Sequence, residues 1–302
     1  MTGPLWPRRF GWGLGFALLL STAGWVSPVG DSIAAFRIDL LVASGLVLVW
    51  LLWTGSVRLA LALLVAVLIT GWPVMRLAGG GAPPDRADIT LHQHNLLFLN
   101  KGLPDFTAHV LATAPDVITV QEIARNRRYL VQALSAEYPN LQLCSYDGPV
   151  KSGSVGVMTR DIGKVVDSGC AEKTELAWIT MDTAHGRITF ASLHLFWPWP
   201  QPQSEQFTFL EPALKDLTQP LIIGGDFNNV AWSHIVSSIA AASGTRPAKG
   251  LASTFSLFFG WPRLRIDHIL VPQRAIAHVE RTPKLGSDHN GLRAEIRIVH
   301  NN

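Results

Sequence analysis

Hydrophobic residues are concentrated in the first 76 positions, where three long apolar segments contain almost no charge. They span Phe10–Val26, Ile38–Trp53 and Val57–Val74, and each has about 16–18 residues, near the lower limit for crossing a bilayer. Tryptophans lie near the segment ends, where an amphipathic indole is favoured at the level of the lipid headgroups. The pattern predicts a membrane anchor over residues 1–76 with three transmembrane helices. The tryptophans are Trp6, Trp12, Trp25, Trp50, Trp53 and Trp72.

The first segment has an alternative interpretation. Arg8 and Arg9 precede it and the small residues Ser21-Thr22-Ala23 follow it, an arrangement that is also typical of a cleaved signal peptide. Two further apolar segments follow closely, which favours a membrane helix. Three buried helices of a soluble domain are disfavoured because the segments have no polar face to present to water.

The short loops between the apolar segments predict an orientation. Arg8, Arg9 and Arg58 favour the cytoplasmic side, against Arg37 and Arg76 on the other. The N-terminus is therefore expected inside, and an odd number of crossings places the rest of the chain outside the cytoplasm, at an inner or plasma membrane of bacterial type.

After the anchor, residues 77–88 are rich in glycine and proline and are expected to form a flexible linker. From residue 89 to 302, short apolar runs alternate with polar turns and occasional helices, which indicates a mixed α/β domain. Expected helices include Phe106–Thr113 and Gln203–Leu217.

Several of the apolar runs end in groups that carry chemistry. The stretch Leu221–Val230, for example, is apolar up to two glycines and then presents a carboxylate and an amide. Each group alone is explained as a capping or turn residue. Their repeated placement at strand ends favours one site, built from Asn95, Glu122, His194, Asp226 with Asn228, Asp267, and Asp288 with His289.

Four short motifs among these residues resemble the ordered motif set of the endonuclease/exonuclease/phosphatase superfamily. They are Gln121-Glu122, Gly225-Asp226-Phe227-Asn228, Arg265-Ile266-Asp267 and Ser287-Asp288-His289. The resemblance covers residues 89–299. It implies a deoxyribonuclease I-like fold, a two-sheet α/β sandwich, in which strand ends from both halves meet at a metal site.

The resemblance also implies a role for each residue. Glu122 would be the main magnesium ligand, with Asn95 next to it and Asp288 near the metal. Asp226 would orient or deprotonate the attacking water, and Asn228 would hold a phosphate oxygen. His289 would pair with Asp267 and support the phosphoryl group. His194 matches the position of a second histidine that contacts phosphate or acts as an acid.

The chemistry of these residue types agrees with a phosphoester hydrolase. Such a reaction needs charge neutralisation on the phosphoryl oxygens and an oriented water. Mg²⁺ is the expected cofactor, with Mn²⁺ as a substitute, because Mg²⁺ prefers oxygen ligands and keeps several waters. Zinc is disfavoured because no close His/Cys spacing is present.

Among substrates, a phosphodiester or lipid-linked phosphate at the membrane surface is favoured over a nucleic acid, because the anchor keeps the site near lipid headgroups. The net charge of +3 suits an anionic substrate of any of these classes. No basic run interleaved with aromatics, of the kind that follows a nucleic-acid backbone, is visible. Six aromatic residues are expected either to touch lipid beside the site or to pack the sandwich: Phe196, Trp197, Trp199, Phe258, Phe259 and Trp261.

The expected function is thus a membrane-anchored, magnesium-dependent phosphoesterase. A nuclease, a non-catalytic module that binds anions on the same fold, and a passive scaffold are the alternatives. Cys144 and Cys170 both follow the anchor. They form either one disulfide, which would suit an oxidising compartment, or two unrelated buried thiols.

Overall fold

The computed structural model describes residues 5–123, 127–145, 154–171 and 173–299. The outermost residues of the predicted anchor and domain, 1–4 and 300–302, lie outside these ranges. The N-terminal part consists of helices that pack as a bundle around the buried side chains of Leu18, Leu51 and Leu63. The helices are α1 (Leu5–Leu20), α2 (Pro28–Ala34), α3 (Arg37–Trp53) and α4 (Val57–Ala78).

The prediction of three transmembrane helices is not supported. Among the described residues, only α4 is both long enough and apolar enough to cross a membrane. A second span requires α2 and α3 to be counted together, although they are bent by 67° relative to each other. The expected first segment is divided, because α1 ends at Leu20 after 16 residues and a turn follows.

The remainder of the described chain forms two six-stranded sheets with helices outside them. The first sheet has the strand order β13-β14-β1-β2-β4-β3 and the second has the order β5-β6-β7-β8-β12-β9. The strands are β1 (Ile89–Asn95), β2 (Val117–Gln121), β3 (Asn140–Ser145), β4 (Ser154–Thr159), β5 (Gly163–Cys170), β6 (Glu175–Thr183), β7 (Gly186–His194), β8 (Leu221–Asp226), β9 (Thr245–Pro247), β10 (Phe255–Ser256), β11 (Arg263–Leu264), β12 (Asp267–Pro272), β13 (Ile276–Arg281) and β14 (Leu292–Arg297).

The two sheets pack face to face over a common hydrophobic core. Leu91 and Val157 from the first sheet meet Phe190 and Ile222 from the second, and all four are fully buried. Alternate side chains of the same strands point outward, where helices cover them. This architecture confirms the predicted two-sheet α/β sandwich. The covering helices are α5 (Leu103–Thr113) and α6 (Arg127–Leu134) on one side and α7 (Gln203–Asp216) and α8 (His234–Ala242) on the other.

Strand direction brings the polar strand ends to one edge of the sandwich. In the first sheet β1 and β2 are parallel, with Asn95 opposite Gln121. In the second sheet β7 and β8 are parallel, with His194 opposite Asp226, and the antiparallel β12 places Asp267 opposite Asp226. Because the carboxyl ends of parallel strands share an edge, residues far apart in sequence become neighbours there.

Cys144 and Cys170 form a disulfide. Cys144 lies on β3 and Cys170 on β5, at the outer strands of the two sheets. The bond therefore links one sheet to the other at the side of the sandwich.

The helical bundle is docked on the sandwich. The carboxylate of Asp31 in α2 accepts hydrogen bonds from the backbone N–H groups of His234 and Ile235, at 2.8 and 2.9 Å, and so caps the N-terminus of α8. The indole N–H of Trp232 donates to the carbonyl of Ala34 at 2.9 Å. Trp232 also packs with Val74 in an apolar cluster that contains residues of both parts.

Residues 77–88, expected to be a flexible tether, are held at two points. The carbonyl of Leu77 accepts a hydrogen bond from the backbone N–H of Gly250 at 2.9 Å. The carbonyl of Gly81 lies 2.7 Å from Nδ1 of His278 on β13. The bundle and the sandwich are therefore joined by side-chain packing as well as by the chain.

Candidate active site

A buried acid–imidazole pair forms the first element of the site. Nδ1 of His289 lies 2.8 Å from Oδ2 of Asp267, the first residue of β12. Burial favours a neutral ring, but the charges of Asp267 and Asp226 outweigh it and raise the pKa of His289 to about 10. Burial alone would raise the pKa of Asp267, but the charge of His289 and its hydrogen bond outweigh burial and lower that pKa. The contact and the two pKa directions favour an imidazolium held by a carboxylate, which is the pairing that the family resemblance implies.

A second pair of the same kind lies across the site. Nδ1 of His194 lies 2.5 Å from Oε2 of Glu175, and Glu175 is the residue opposite His194 in the β6–β7 ladder. Burial lowers the pKa of His194, but Glu175 and the nearby Asp226 and Glu122 raise it to about 9. Glu175 was not predicted as a site residue.

Asp226 lies between the two imidazoles. Its Oδ2 is 3.7 Å from Nε2 of His289 and 3.8 Å from Nε2 of His194, and it accepts a hydrogen bond from Nδ2 of Asn95 at 2.9 Å. Burial and the charge of Asp267 raise the pKa of Asp226 to about 6. A carboxylate with such a pKa accepts a proton readily near neutral pH.

Two site residues have a left-handed backbone. Glu122 directly follows β2 with a φ of 58°, and Asn228 follows β8 with a φ of 46°. Asparagine tolerates this conformation, whereas glutamate rarely adopts it. Backbone strain of this kind concentrates at functional sites, where the surrounding structure maintains it.

Asn228 is placed by contacts to both neighbouring strands. Its backbone N–H donates to Oδ1 of Asp226 at 2.9 Å, and its amide Nδ2 donates to the carbonyl of Leu195 at 2.7 Å. The same Nδ2 lies 3.4 Å from Nε2 of His194. The amide is thereby fixed beside an imidazole that faces the centre of the site.

Glu122 is the partly exposed carboxylate of the site. Its Oε1 accepts from Nδ2 of Asn95 at 3.2 Å, and its Oε2 accepts from the backbone N–H of Phe98 at 3.2 Å. Each oxygen keeps a lone pair for a cation. The amide oxygen of Asn95 instead accepts from the backbone N–H of Leu97 at 2.9 Å, so Asn95 presents a donor, rather than an oxygen ligand, to the two acids.

Asp288 lies at the exposed margin of the site. Its Oδ1 is 3.4 Å from Oγ of Ser287, which also donates to the carbonyl of Asn95 at 2.7 Å. The structure thus brings the segment of Asp288 next to Asn95 without giving its carboxylate a contact to Glu122.

The charges of the site fit a divalent cation. The site contains five carboxylates and two imidazoles that face them. The carboxylates are those of Glu122, Glu175, Asp226, Asp267 and Asp288, and the imidazoles are those of His194 and His289. An anionic phosphoester would meet a surplus of negative charge there. Hard oxygen donors of this type are those that Mg²⁺ and related ions prefer.

The geometry also shows a compact Asp226–Asp267–His289 group whose potential ligand atoms lie within 4.8 Å of one another. Nδ1 of His289 is engaged with Asp267, so only its Nε2 remains to face an ion or a phosphate. This buried group and the partly exposed carboxylate of Glu122 are thus the two places that offer ligand atoms to a divalent cation among the described residues of the site.

A series of hydrogen bonds between the two sheets holds Asp267 in place. Nε2 of Gln93 donates to Oδ1 of Asp267 at 3.0 Å and to Oε1 of Gln121 at 2.9 Å. Gln121 in turn donates to Oγ of Ser192 at 3.0 Å. This series of hydrogen bonds crosses the core and fixes Asp267 relative to β1 and β2.

Comparisons with known proteins agree with this geometry. A sequence profile of the endonuclease/exonuclease/phosphatase family matches residues 92–289, which is more than half of the chain. The chain belongs to this family. Its members are hydrolases that act on phosphate esters and typically depend on a divalent metal. No curated protein sequence gives a significant match.

Solved structures of the family share the fold at low sequence identity. An endonuclease/exonuclease/phosphatase from Bacteroides vulgatus superposes with a TM-score of 0.58 at 18% identity, over 70% of this chain and 99% of that one. D. rerio TDP2, solved with a single-strand DNA product, gives a TM-score of 0.56 at 17% identity over 70% and 99%. The human Nocturnin catalytic domain, with bound sulfate, gives 0.53 at 18% over 72% and 96%.

Proposed function

We propose that this protein is a metal-dependent phosphoester hydrolase in which water attacks phosphorus. The observation that carries the proposal is the convergence of two buried acid–imidazole pairs on Asp226, whose Oδ2 lies within 3.8 Å of both Nε2 atoms. Such an arrangement combines a base with two cationic donors at one point. An anion-binding module would not require a base there.

Asp226 is the proposed base. With a pKa of about 6 it is largely ionised at neutral pH and takes the proton of the attacking water. The new P–O bond forms as the ester P–O bond breaks. Asn95 keeps Oδ2 of Asp226 in place through its 2.9 Å hydrogen bond.

His289 and His194 are the proposed phosphate-facing cations. Both pKa values lie above neutrality, so each Nε2 carries a proton at pH 7. His289 donates to a phosphoryl oxygen, and His194 protonates the leaving oxygen. Asn228, fixed beside His194, donates its amide to a second phosphoryl oxygen.

Mg²⁺ is the proposed cofactor, with Mn²⁺ as a substitute. Glu122 would hold it, with Asn95 beside it and Asp288 at the margin. When bound, it would neutralise charge on the phosphoryl oxygens. The surplus of carboxylates and the free lone pairs of Glu122 support this assignment.

Membrane attachment through the N-terminal bundle is part of the proposal. Large apolar side chains point outward from α1, α3 and α4, among them Phe16, Leu46, Trp53, Leu68 and Met75. Exposed apolar surface of this extent favours a bilayer as the surrounding medium. The disulfide supports a location of the sandwich outside the cytoplasm, because disulfides persist in oxidising compartments.

A nuclease is the second candidate. Its support is the DNA product in the D. rerio TDP2 structure, whose fold this chain shares. A nuclease would use the same site residues, so the two candidates differ in substrate rather than in chemistry.

The test uses the full chain in detergent with bis(p-nitrophenyl) phosphate, in Mg²⁺ or in EDTA. We expect metal-dependent turnover that falls by about 100-fold or more in Asp226→Asn and His289→Gln. Asp161→Asn changes an exposed aspartate outside the site and serves as the control. Absence of turnover from the folded wild-type chain with Mg²⁺ or Mn²⁺ would contradict the proposal.

A further inference from the structure

Three large aromatic side chains project into solvent from two loops beside the site. Trp199 is 62% exposed, Phe259 is 109% exposed and Trp261 is 67% exposed. Of the other aromatic residues singled out in the sequence, Phe196 is buried and Trp197 is largely covered, whereas the side chain of Phe258 lies outside the described part. We refer to Trp199, Phe259 and Trp261 as the aromatic rim.

Ring contacts connect the loops of the rim to a catalytic histidine. The ring of Phe255, at the base of the hairpin that carries Phe259 and Trp261, lies 4.8 Å from the ring of His289. Trp197, two residues before Trp199, lies 6.2 Å from Phe255. The two rim loops therefore converge on Phe255, whose ring is next to that of His289.

The first rim loop adjoins the helical bundle. Pro198 lines a cleft of about 270 Å³ together with Trp25, Val26 and Asp31 of the bundle. Trp25 and Val26 are themselves 74% and 65% exposed. The residue that precedes Trp199 therefore lies at the junction with the bundle, close to two exposed apolar side chains of the bundle.

The second rim loop starts and ends at the base of the bundle. Leu251, just before the hairpin, packs with the Val74 and Trp232 cluster. Nε of Arg265, just after it, donates to the carbonyl of Leu251 at 2.5 Å. Both ends of the segment that carries Phe259 and Trp261 are therefore anchored where the bundle meets the sandwich.

The docking of the bundle restricts the orientation of the site relative to the bundle. Asp31 and Ala34 bind the segment around Trp232 and His234, which begins only a few residues after Asn228. Since this segment follows directly on a catalytic strand, the site cannot rotate freely relative to the bundle. The orientation of the bundle in a bilayer would determine what the site faces.

We infer that the aromatic rim lies in the headgroup region of the bilayer that holds the bundle, and that the substrate is the phosphoester of an amphiphile held in that bilayer. The inference rests on the proposed function and on the membrane attachment included in it. Indole and phenyl rings at the rim are suited to this position, because aromatic side chains concentrate at membrane interfaces. Both rim loops adjoin the bundle, whose large apolar side chains are exposed, and this placement favours a lipid surface over a single-stranded nucleic acid.

The position of the rim is tested by fluorescence in the full chain, reconstituted in vesicles of phosphatidylglycerol and phosphatidylethanolamine. Phe259→Cys is labelled with an environment-sensitive dye, and lipids brominated near the headgroup are added as quenchers. Both natural cysteines are already joined, so the new thiol is the single labelling site. Val166→Cys is the control, because Val166 is also partly exposed but lies on β5, at the edge of its sheet opposite β9.

We expect strong quenching of the dye at position 259 and none at position 166. Equal quenching at both positions, or none at 259, would overturn the inference. The measurement does not depend on activity, so it remains informative if the proposed reaction is wrong.

The substrate class is tested by comparing three substrates in the same reconstituted protein: phosphatidylglycerol in the vesicles, bis(p-nitrophenyl) phosphate and single-stranded DNA. A Trp199→Ser/Phe259→Ser/Trp261→Ser variant should lose about tenfold or more of its phosphatidylglycerol turnover, since the rim no longer partitions into the interface. Its turnover of bis(p-nitrophenyl) phosphate should stay within about twofold of wild type, because no rim residue belongs to the catalytic groups.

Failure of the proposed reaction and failure of the lipid inference give different results. Failure of the wild-type chain to hydrolyse bis(p-nitrophenyl) phosphate would contradict the proposed function. Hydrolysis of that diester and of DNA, with no phosphatidylglycerol turnover and an unquenched dye, would overturn the lipid inference and assign the rim to base stacking.

Discussion

Glu175 lies 2.5 Å from Nδ1 of His194, directly opposite it in the β6–β7 ladder. This contact reproduces, on the other side of Asp226, the relationship between Asp267 and His289. In each pair a buried carboxylate fixes the ring so that Nε2 faces Asp226. Both imidazoles of the site thus direct Nε2 at Asp226 and have raised pKa values. Each pair can be tested separately.

Glu175→Gln tests the second pair, because glutamine still accepts a hydrogen bond from Nδ1 but carries no charge. We expect kcat for bis(p-nitrophenyl) phosphate to fall by about 100-fold with little change in KM. The pKa of His194 should also fall from about 9. The protonated ring is then lost at a lower pH, so the activity that remains should shift toward acid pH.

The control for this variant is Glu211→Gln, which removes an exposed glutamate that pairs with Lys215. Its kcat and pH profile should match those of wild type. If Glu175→Gln loses thermal stability without changing kcat or the pH profile, Glu175 has a structural role only.

Asp31→Ala tests the docking of the bundle. The side chain accepts two backbone N–H groups at the start of α8, and its loss leaves both without partners. We expect the free energy of unfolding to fall by about 1–2 kcal/mol, the usual cost of removing a helix cap. The measurement is the midpoint of thermal unfolding of the full chain in detergent.

Asp105→Ala provides a matched control, because Asp105 lies in the first turn of α5 but is exposed. It should shift the midpoint much less than Asp31→Ala does. Equal shifts in the two variants would show that Asp31 contributes no more than any acidic residue near the N-terminus of a helix.

The disulfide predicts a redox-dependent stability. Cys144 and Cys170 are 26 residues apart, and closing a loop of this size restricts the unfolded chain and stabilises the fold by about 3.5 kcal/mol. Cys144→Ser/Cys170→Ser should lower the unfolding midpoint and make it insensitive to dithiothreitol, whereas the wild-type midpoint should fall when dithiothreitol is added. A wild-type midpoint that ignores the reductant under unfolding conditions would contradict this expectation.

Buried histidines predict sensitivity to acid. Burial lowers the pKa of His92 and takes that of His94 down to about 4. The unfolded chain binds these protons below about pH 6.5, whereas the folded chain does not. The folded state is therefore most stable with respect to these two groups above about pH 6.5, and this stabilisation is lost as the pH falls toward 4. For His94 the loss in the free energy of unfolding is on the order of 3 kcal/mol.

His92→Leu should reduce this acid sensitivity. Neither ring nitrogen of His92 has a hydrogen-bond partner among the described residues, and the ring is fully buried beside Phe106. An apolar side chain there should raise the unfolding midpoint at pH 5 more than at pH 8. An equal change at both pH values would argue against titration of His92 in this range.

The sequence predicted most of the site because its groups follow a simple rule of position. Asn95, Glu122, His194 and Asp226 each occur at or just after the end of an apolar run, so strand periodicity locates them, and the family motifs give their order. Glu175 escaped this reasoning because it begins a strand, and only the antiparallel register pairs it with His194. Strand β13 was missed as well, since Ile276–Arg281 is half polar and pairs at a sheet edge.

The arrangement of the bundle could not be read from local patterns. Asp31 looks like an isolated charge in an apolar region, and its partners at the start of α8 are more than 200 positions away. Hydropathy likewise indicated three spans, because it does not register the break after Leu20 or the 67° bend between α2 and α3. Such features depend on tertiary packing.

Asp267 and His289 are expected to act as one unit in phosphoester hydrolysis, which a double-mutant cycle can measure. The measurement is kcat/KM for bis(p-nitrophenyl) phosphate with Mg²⁺, for wild type, Asp267→Asn, His289→Gln and the double variant of the full chain. The double variant should be about as impaired as His289→Gln alone, because the carboxylate acts through the ring. Losses that multiply in the double variant, or single variants that keep wild-type activity, would contradict it.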